Sequence, residues 1–363
     1  MRICIYGAGA IGGYLAVRLA ATDNEISVVA RGAHLEAIQK KGLTLIADGE
    51  EVTTPLACSN DARDFPVQDY VIVAVKAHSG PVIADALEPL LGPDTVVVPA
   101  VNGMPWWYFY KLGGVFDGHQ MQSVDPGGEQ WKSIGPERVI GCVVYPAAEI
   151  VEPGVIRHIS INRFPIGEPD GSRSDRVLAL SKVFTDAGLR APVRKRIRDD
   201  IWVKFWGNLS FNPVSVLTGA TLGQIGGNAR LREVIKSMMC EAKEIGERLG
   251  VTFPVEVDRR INGATEDGNH KTSSLQDLEA GKALYVMCQA CHGSAGEGNK
   301  TLNSPRLAGL QDWYVARQLK NFKSGIRGTK SGDMFGMQMR PMAMSLANDE
   351  AINNVAAYIA TLK

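Results

Sequence analysis

Three polar residues in the middle of the chain repeat at a spacing that places them on one face of a helix. Lys204, Asn208 and Asn212 follow one another at intervals of four residues, so in a helix they lie one above the other. Their neighbours are mostly Trp, Phe, Ile and Leu, and burying a lysine and two amides without partners is costly. The spacing therefore predicts a functional polar face, with a solvent-facing polar stripe as the alternative.

Near the start of the chain, six residues match the dinucleotide-binding fingerprint: Gly7, Ala8, Gly9, Ala10, Ile11 and Gly12. In this pattern the first glycine permits a tight turn, the second lets the backbone approach a pyrophosphate, and the third allows close helix–strand packing. The fingerprint follows a predicted strand and opens a predicted helix, whose N-terminus favours phosphate. A glycine-rich structural turn is the alternative.

Arg31 follows the second predicted strand, where an NAD site would offer a carboxylate to the ribose 2′-hydroxyl. A guanidinium there suits a 2′-phosphate, because its planar fork binds phosphate through two hydrogen bonds. We therefore expect NADPH rather than NADH. An ordinary solvated arginine is the alternative.

Cys288, Cys291 and His292 form the Cys-x-x-Cys-His pattern of c-type haem attachment. The two thiols reach the haem vinyl groups, and the histidine presents its imidazole to the iron. A zinc site would need a second ligand pair, and no Cys or His follows His292. A redox dithiol of the thioredoxin kind would need a strand–helix setting that the pattern lacks.

Apolar strands alternate with amphipathic helices over the first half of the chain, which predicts a parallel sheet covered by helices. The predicted strands are 3–6, 26–29, 70–75 and 95–98, and the helices between them are 11–21, 34–41 and 82–91. Residues 112–137 are predicted to form a long surface excursion. Further predicted strands are 139–145, 155–161 and 163–167, and further predicted helices are 175–187, 199–211, 231–249 and 275–280.

Length and composition limit the class of protein. The 363 residues suffice for two or three domains. Positive and negative charges balance, so we expect no nucleic-acid partner and no acidic membrane surface. No run of eighteen apolar residues is present, so we expect no membrane span. The first strand begins without room for a secretory signal, which predicts a cytoplasmic location.

Residues 1–281 resemble the ketopantoate reductase (2-dehydropantoate 2-reductase) family. Besides the glycine loop, Arg31 and the Lys204 helix, the matching segments are Val75-Lys76-Ala77, Val101-Asn102-Gly103, Val139-Ile140-Gly141-Cys142 and His270-Lys271-Thr272-Ser273-Ser274-Leu275-Gln276-Asp277. Several distant motifs occur in the family's order. The resemblance implies a Rossmann-type α/β domain followed by an all-α domain.

This resemblance also implies hydride transfer from NADPH to the ketone carbon of a 2-oxo acid. By resemblance, Lys204 is the general acid, Asn208 and Asn212 bind substrate oxygens, and Ser273 holds the substrate carboxylate. Lys76 and Asn102 are implied to lie at the junction of cofactor and substrate, near the nicotinamide end.

The chain departs from the family pattern after the segment that precedes Gly281. Tyr285 stands where the family has an acidic residue that contacts the substrate, and the family's closing helices are missing. We therefore expect a truncated substrate domain, in which cofactor binding is retained better than catalysis.

Residues 281–363 resemble the small class I cytochrome c modules. The resemblance implies that the Pro305 carbonyl fixes the haem histidine His292, and that a loop over residues 338–343 carries the sixth ligand. Met339 lies two residues before a proline, as the family places its ligand, and Met342 is the alternative. Such methionine ligation suits electron transfer.

The predicted domains are an NADP-binding domain (1–170), a truncated helical substrate domain (171–281) and an all-α cytochrome c domain (282–363). Expected partners are a small 2-oxo acid, a redox partner for the haem and a second copy in a homodimer. A cytoplasmic location conflicts with haem c attachment outside the inner membrane, so we expect little or no covalent haem. Three interpretations follow: a reductase with a passive cytochrome tail, a cytochrome carrier with an inactive reductase, or a non-physiological fusion.

Overall fold

The computed structural model describes residues 1–265, 278–310, 312–329 and 332–362. The chain forms two compact units. The larger unit comprises Met1–Leu217 and Ile225–Asp267, and the smaller comprises Thr218–Gln224 and Gly268–Lys363. The three-part division at residues 170 and 281 stays a prediction.

The larger unit contains all the named strands of the described chain. They are β1 (Arg2–Tyr6), β2 (Glu25–Val29), β3 (Leu43–Ala47), β4 (Glu50–Thr54), β5 (Ala57–Ser59), β6 (Tyr70–Val73), β7 (Val96–Pro99), β8 (Gly141–Cys142), β9 (Ala147–Glu152), β10 (Val155–Ser160) and β11 (Ile166–Gly167).

Five of these strands form the predicted parallel sheet, in the order β5-β2-β1-β6-β7. Alternate residues of β1 enter different cores: Ile3 and Ile5 join one apolar cluster, and Cys4 joins the other. Both faces are therefore buried, as is typical of parallel sheets. Because β2 and β6 lie on opposite sides of β1, its carboxyl end is a topological switch point, where ligands bind in open α/β sheets.

A second sheet, which the sequence analysis did not predict, has the order β4-β3-β10-β9. The β3–β4 hairpin turns at Asp48 and Gly49, both with positive φ, and Asp-Gly is a strong hairpin signal. The predicted strands 139–145 and 163–167 shorten to β8 and β11. Pro165 limits that pairing because it has no N–H to donate, although its carbonyl accepts a bond from Val143 N at 2.9 Å.

The helices before residue 266 are α1 (Ala10–Ala20), α2 (Gly32–Lys41), α3 (Gly80–Ile83), α4 (Glu129–Ser133), α5 (Asp175–Asp186), α6 (Ile197–Thr218), α7 (Leu222–Gly227), α8 (Ala229–Arg248) and α9 (Val257–Thr265). Ser174 caps α5 by accepting a bond from Val177 N, and Asn228 caps α8. Side-chain oxygens at these positions satisfy N–H groups that the helix leaves free.

Two predictions for the first half of the chain are corrected, one of a helix and one of a surface excursion. The predicted helix 82–91 is α3 followed by a 3₁₀ segment over Asp85–Leu90, which contains Pro89. Residues 112–137 are not a plain surface excursion, because they contain α4 and short 3₁₀ turns. Asp125 is buried there and accepts bonds of 3.0 Å from the backbone N–H groups of Gln130 and Trp131.

The smaller unit is built from α10 (Leu278–His292), α11 (Asp312–Lys323), α12 (Met334–Met344) and α13 (Asp349–Thr361). Helices α10 and α13 pack closely at Gly281, where an added Cβ would lie 2.1 Å from the carbonyl oxygen of Asn354. The predicted boundary at residue 281 therefore falls inside a continuous helix. Of the predicted helix 275–280, residues 275–277 lie outside the described residues.

The expected loop over residues 338–343 is instead part of α12. Asp333 caps this helix by accepting a bond from Gly336 N, and methionine is a good helix former. Among the described residues, no helix is long and apolar enough to cross a membrane.

Candidate functional site

The glycine loop at the carboxyl end of β1 has the geometry that its three glycines predict. Gly7 has a φ of 103° and donates its N–H to Val29 O at 2.9 Å. At Gly12 an added Cβ would lie 1.9 Å from Gly7 O, so α1 can approach β1 only with glycine there. At Gly9, which precedes α1, an added Cβ would meet nothing within 4 Å. The loop therefore leaves open space above the N-terminus of α1, where an anion is favoured.

The remaining loop residues frame this space. Ala8 is buried, and Ala10 and Ile11 begin the first turn of α1. Arg31 is exposed at the start of α2, just after β2. Burial raises the pKa of Tyr6, at the end of β1, and the Arg31 charge opposes that rise. The Arg31 charge therefore acts at the same edge of the sheet as the glycine loop.

A cavity of about 50 Å³ lies at the carboxyl ends of β6 and β7, against α6. Lys204 and Asn102 both line it, together with mostly apolar residues of these strands and of the segment that follows β7. Lys76 is exposed directly after Val75, which also lines the cavity. The structure thus brings Lys204 and Asn102 together.

The rest of the predicted polar face lies outside that cavity. Neither Asn208 nor Asn212 is among the described residues that line the cavity. Asn208 is half-buried one turn beyond Lys204, and Asn212 is exposed. Ser273 lies outside the described residues.

Lys204 occupies a partly apolar environment rather than open solvent. Its Nζ lies 5.2 Å from the centre of the Tyr145 ring. Burial lowers the pKa of Lys204, and the nearby positive charge of Arg260 lowers it further. An ammonium whose pKa is lowered in this way transfers its proton more readily.

Sequence reasoning missed the charged residues around Lys204. The Asp200 carboxylate, one turn earlier on α6, accepts a 2.7 Å bond from Arg194 Nε and pairs with Arg163 at 3.8 Å. The Arg260 side chain comes from α9, and its Nε is buried without a hydrogen-bond partner among the described residues. Lys204 and Arg163 both lie over the ring of Tyr145. No spacing signal links these residues, because they belong to separate elements.

In the smaller unit, His292 is buried and its Nδ1 lies 2.8 Å from the Pro305 carbonyl oxygen. The contact expected from the cytochrome resemblance is therefore present. It fixes the imidazole and leaves Nε2 as the nitrogen that could bind a metal. Cys291 is exposed and Cys288 is half-buried, and burial raises the pKa of Cys288 to about 11.

The two alternative methionine ligands differ in burial. Met339 packs partly buried against the apolar core of the smaller unit, whereas Met342 is 43% exposed. Both belong to α12. Within the described part of the chain, no group of three or more His, Cys, Asp and Glu side chains forms a potential metal site.

Comparison with known proteins gives the family. The ketopantoate reductase PanE/ApbA family model matches residues 3–171, and the model of its C-terminal domain matches residues 196–286. The chain belongs to the ketopantoate reductase family. It is an oxidoreductase of this family, with a Rossmann-like α/β domain and a helical region after it. A cytochrome c family model matches residues 278–363, so the two C-terminal matches overlap within α10.

Individual relatives agree with this assignment. A 2-dehydropantoate 2-reductase of Mesorhizobium japonicum is 55% identical over 287 residues, which are 79% of this chain and 88% of that protein. A solved structure from Ralstonia solanacearum MolK2, described as a candidate ketopantoate reductase, is 42% identical with a TM-score of 0.72. The match covers 84% of this chain and 93% of that one. A 2-dehydropantoate 2-reductase structure from Methylococcus capsulatus is 26% identical with a TM-score of 0.63, covering 77% and 85%.

Proposed function

We propose that this ketopantoate reductase family member reduces a 2-oxo acid by hydride transfer from NADPH, as in the conversion of 2-dehydropantoate to pantoate. The cavity that holds both Lys204 and Asn102 is the observation that carries this proposal. It lies at the carboxyl edge of the parallel sheet, the edge that also carries the glycine loop. Cofactor and substrate sites at one sheet edge suit a transfer between them.

The cofactor would bind along this edge. The open space at Gly9 suits the approach of a pyrophosphate to the N-terminus of α1. Arg31 would bind the 2′-phosphate, and Lys76 and Asn102 would lie near the nicotinamide end. Bound NADPH supplies the hydride.

Lys204 would complete the reduction at the ketone oxygen. As the carbonyl carbon gains a hydride, negative charge develops on the oxygen, and the Lys204 ammonium stabilises it and donates the proton. The lysine then regains a proton from solvent. Asn208 and Asn212 would bind the other oxygens of the substrate, and Ser273 would bind its carboxylate.

Tyr285 has a structural role in the smaller unit. Its side chain is 2% exposed, and its hydroxyl donates a 2.7 Å hydrogen bond to Gly293 O. The position where the family has a substrate-contacting acid is therefore occupied by a core residue. We therefore expect NADPH binding to be retained better than catalytic turnover.

For the smaller unit we propose haem c binding when the protein is matured. Cys288 and Cys291 would hold the haem through their sulfur atoms, and His292 and Met339 would bind its iron. Bound haem supplies one-electron transfer. The His292–Pro305 contact supports this second function, that of an electron carrier. We propose no direct transfer between NADPH and haem, because a hydride carries two electrons and haem accepts one.

Substitution of Lys204 tests the reductase proposal. We expect Lys204→Ala to lower kcat by about 100- to 10,000-fold, the usual contribution of a general acid, with NADPH affinity retained. The assay follows NADPH oxidation with 2-dehydropantoate as substrate. Lys40→Ala, at an exposed lysine of α2, is the matched control and should behave as wild type. Wild-type turnover by Lys204→Ala would refute the role of Lys204.

A further inference from the structure

Arg260 belongs to another helix and reaches the side of α6 that carries Lys204. It belongs to α9, and its Nη2 would lie 3.0 Å from a Cβ added at Gly207. Gly207 is three residues after Lys204, so the two positions share one side of α6. The missing side chain at Gly207 is what lets the guanidinium rest on this helix, one turn from Lys204.

Nothing among the described residues neutralises this pair of cations. The Nε of Arg260 is buried without a hydrogen-bond partner. The Asp200 carboxylate, one turn before Lys204, is already bound by Arg194 and Arg163. Tyr145 faces the same space as a neutral phenol, since burial raises the pKa of its hydroxyl.

Two partly buried like charges are unfavourable unless an anion joins them. After burial, the Arg260 charge is the second cause that lowers the pKa of Lys204, as repulsion between the two cations would. An anion placed between them would reduce the repulsion. A guanidinium prefers a planar two-oxygen anion, which it binds through two parallel hydrogen bonds.

We propose that Arg260 binds the carboxylate of the 2-oxo acid while Lys204 addresses its ketone oxygen. This inference rests on the proposed function, and it adds to the Ser273 contact proposed there, because each carboxylate oxygen accepts more than one hydrogen bond. A 2-oxo acid carries its carboxylate on the carbon next to the ketone, so two neighbouring cations match its two oxygen-bearing groups. Arg260 therefore selects 2-oxo acids over ketones that lack the carboxylate.

Steady-state kinetics of Arg260→Gln with 2-dehydropantoate test the assignment. We expect KM for the 2-oxo acid to rise about 10- to 100-fold, as for loss of a hydrogen bond to a charged group. The KM for NADPH should not change. Arg260→Lys should restore part of the affinity, because it keeps the charge without the fork. Arg259→Gln, at the exposed neighbour on α9, is the control.

A pH profile separates substrate binding from a structural role. Removing the Arg260 charge should raise the pKa of Lys204, so the alkaline limb of kcat/KM should move to higher pH in Arg260→Gln.

If Arg260→Gln does not fold, Gly207→Ala serves as the test variant. The added methyl displaces the guanidinium while α6 is retained, and KM should rise several-fold. An unchanged KM in a folded variant overturns the inference.

Binding of pantoate, the reduced acid, keeps the inference independent of turnover. Calorimetry with NADP⁺-loaded full-length protein should show binding to the wild type and to Arg259→Gln, weakened at least about tenfold in Arg260→Gln. A wild type that binds pantoate but does not reduce 2-dehydropantoate would refute the proposed function alone. Equal pantoate binding by Arg260→Gln, or none by the wild type, would refute the carboxylate site.

Discussion

Lys204 is held where its positive charge is weakly stabilised. It faces the Tyr145 ring, and the cationic Arg260 lies near it, while the carboxylate on the same face of α6 is bound to other arginines. Both burial and Arg260 act in one direction, towards a lower pKa. This environment suits a group that must release its proton during each turnover.

The pH dependence of turnover should reveal this environment. The protonated form of Lys204 is the active acid, so activity should be lost as the pH rises through a pKa below the ordinary 10.5. The measurement is kcat/KM against pH with saturating NADPH. Lys204→Arg should be slower but lose the alkaline limb, because arginine stays protonated. A wild-type profile that stays flat up to the ordinary lysine pKa would contradict this description of the site.

At the residue scale, sequence identified the positions that sit in motifs and missed those that do not. The glycine loop and Lys204 are marked by spacing. The loop joins β1 to α1, and Lys204 lines the cavity, whereas Asn208 and Asn212 are not among its described lining residues. Tyr145 and Arg260 belong to different elements and meet Lys204 only when α9 and the segment after β8 pack against α6. Their sequence neighbours carry no pattern that would single them out.

At the scale of elements, the β1–loop–α1 unit separates structural from binding glycines. Gly12 has Gly7 O so close that no side chain fits, whereas Gly9 faces open space. The same fingerprint thus contains one residue required by packing and another that leaves room for a ligand. The two can be tested against each other.

We expect Gly12→Ala to lower the free energy of unfolding by about 1–3 kcal/mol, as overpacking does, because α1 must move away from β1. Gly9→Ala should leave the stability unchanged but weaken NADPH binding at least about tenfold, since its methyl occupies the open space. Urea denaturation and NADPH fluorescence titration measure the two quantities. Loss of stability in Gly9→Ala, or unaltered NADPH affinity, would contradict this division of roles.

Sequence predicted the elements with strong periodicity and missed those set by distant pairing. The parallel sheet follows from apolar runs that are buried on both faces. The second sheet requires β10 to pair with β3, more than a hundred residues earlier, although the Asp48-Gly49 turn could have indicated the hairpin. The cytochrome resemblance predicts a loop over residues 338–343. The structure has helix α12 there, because Asp333 caps its start and its methionines are good helix formers.

At the scale of the whole molecule, two family matches meet in one helix. The reductase match ends at residue 286 and the cytochrome c match begins at residue 278, both inside α10. The relative from Mesorhizobium japonicum aligns with 79% of this chain. Because a hydride and a haem electron are not interchangeable, the proposed reductase chemistry does not depend on haem binding.

Tracing the transferred hydride tests the proposed reduction most directly. Full-length protein is incubated with NADPH carrying deuterium at both C4 positions and with 2-dehydropantoate, and the product is analysed by mass spectrometry. We predict pantoate with one deuterium at C2, formed in proportion to the NADPH consumed. Consumption of NADPH without labelled pantoate, or no pantoate at all from protein that binds NADPH, would contradict the proposed function.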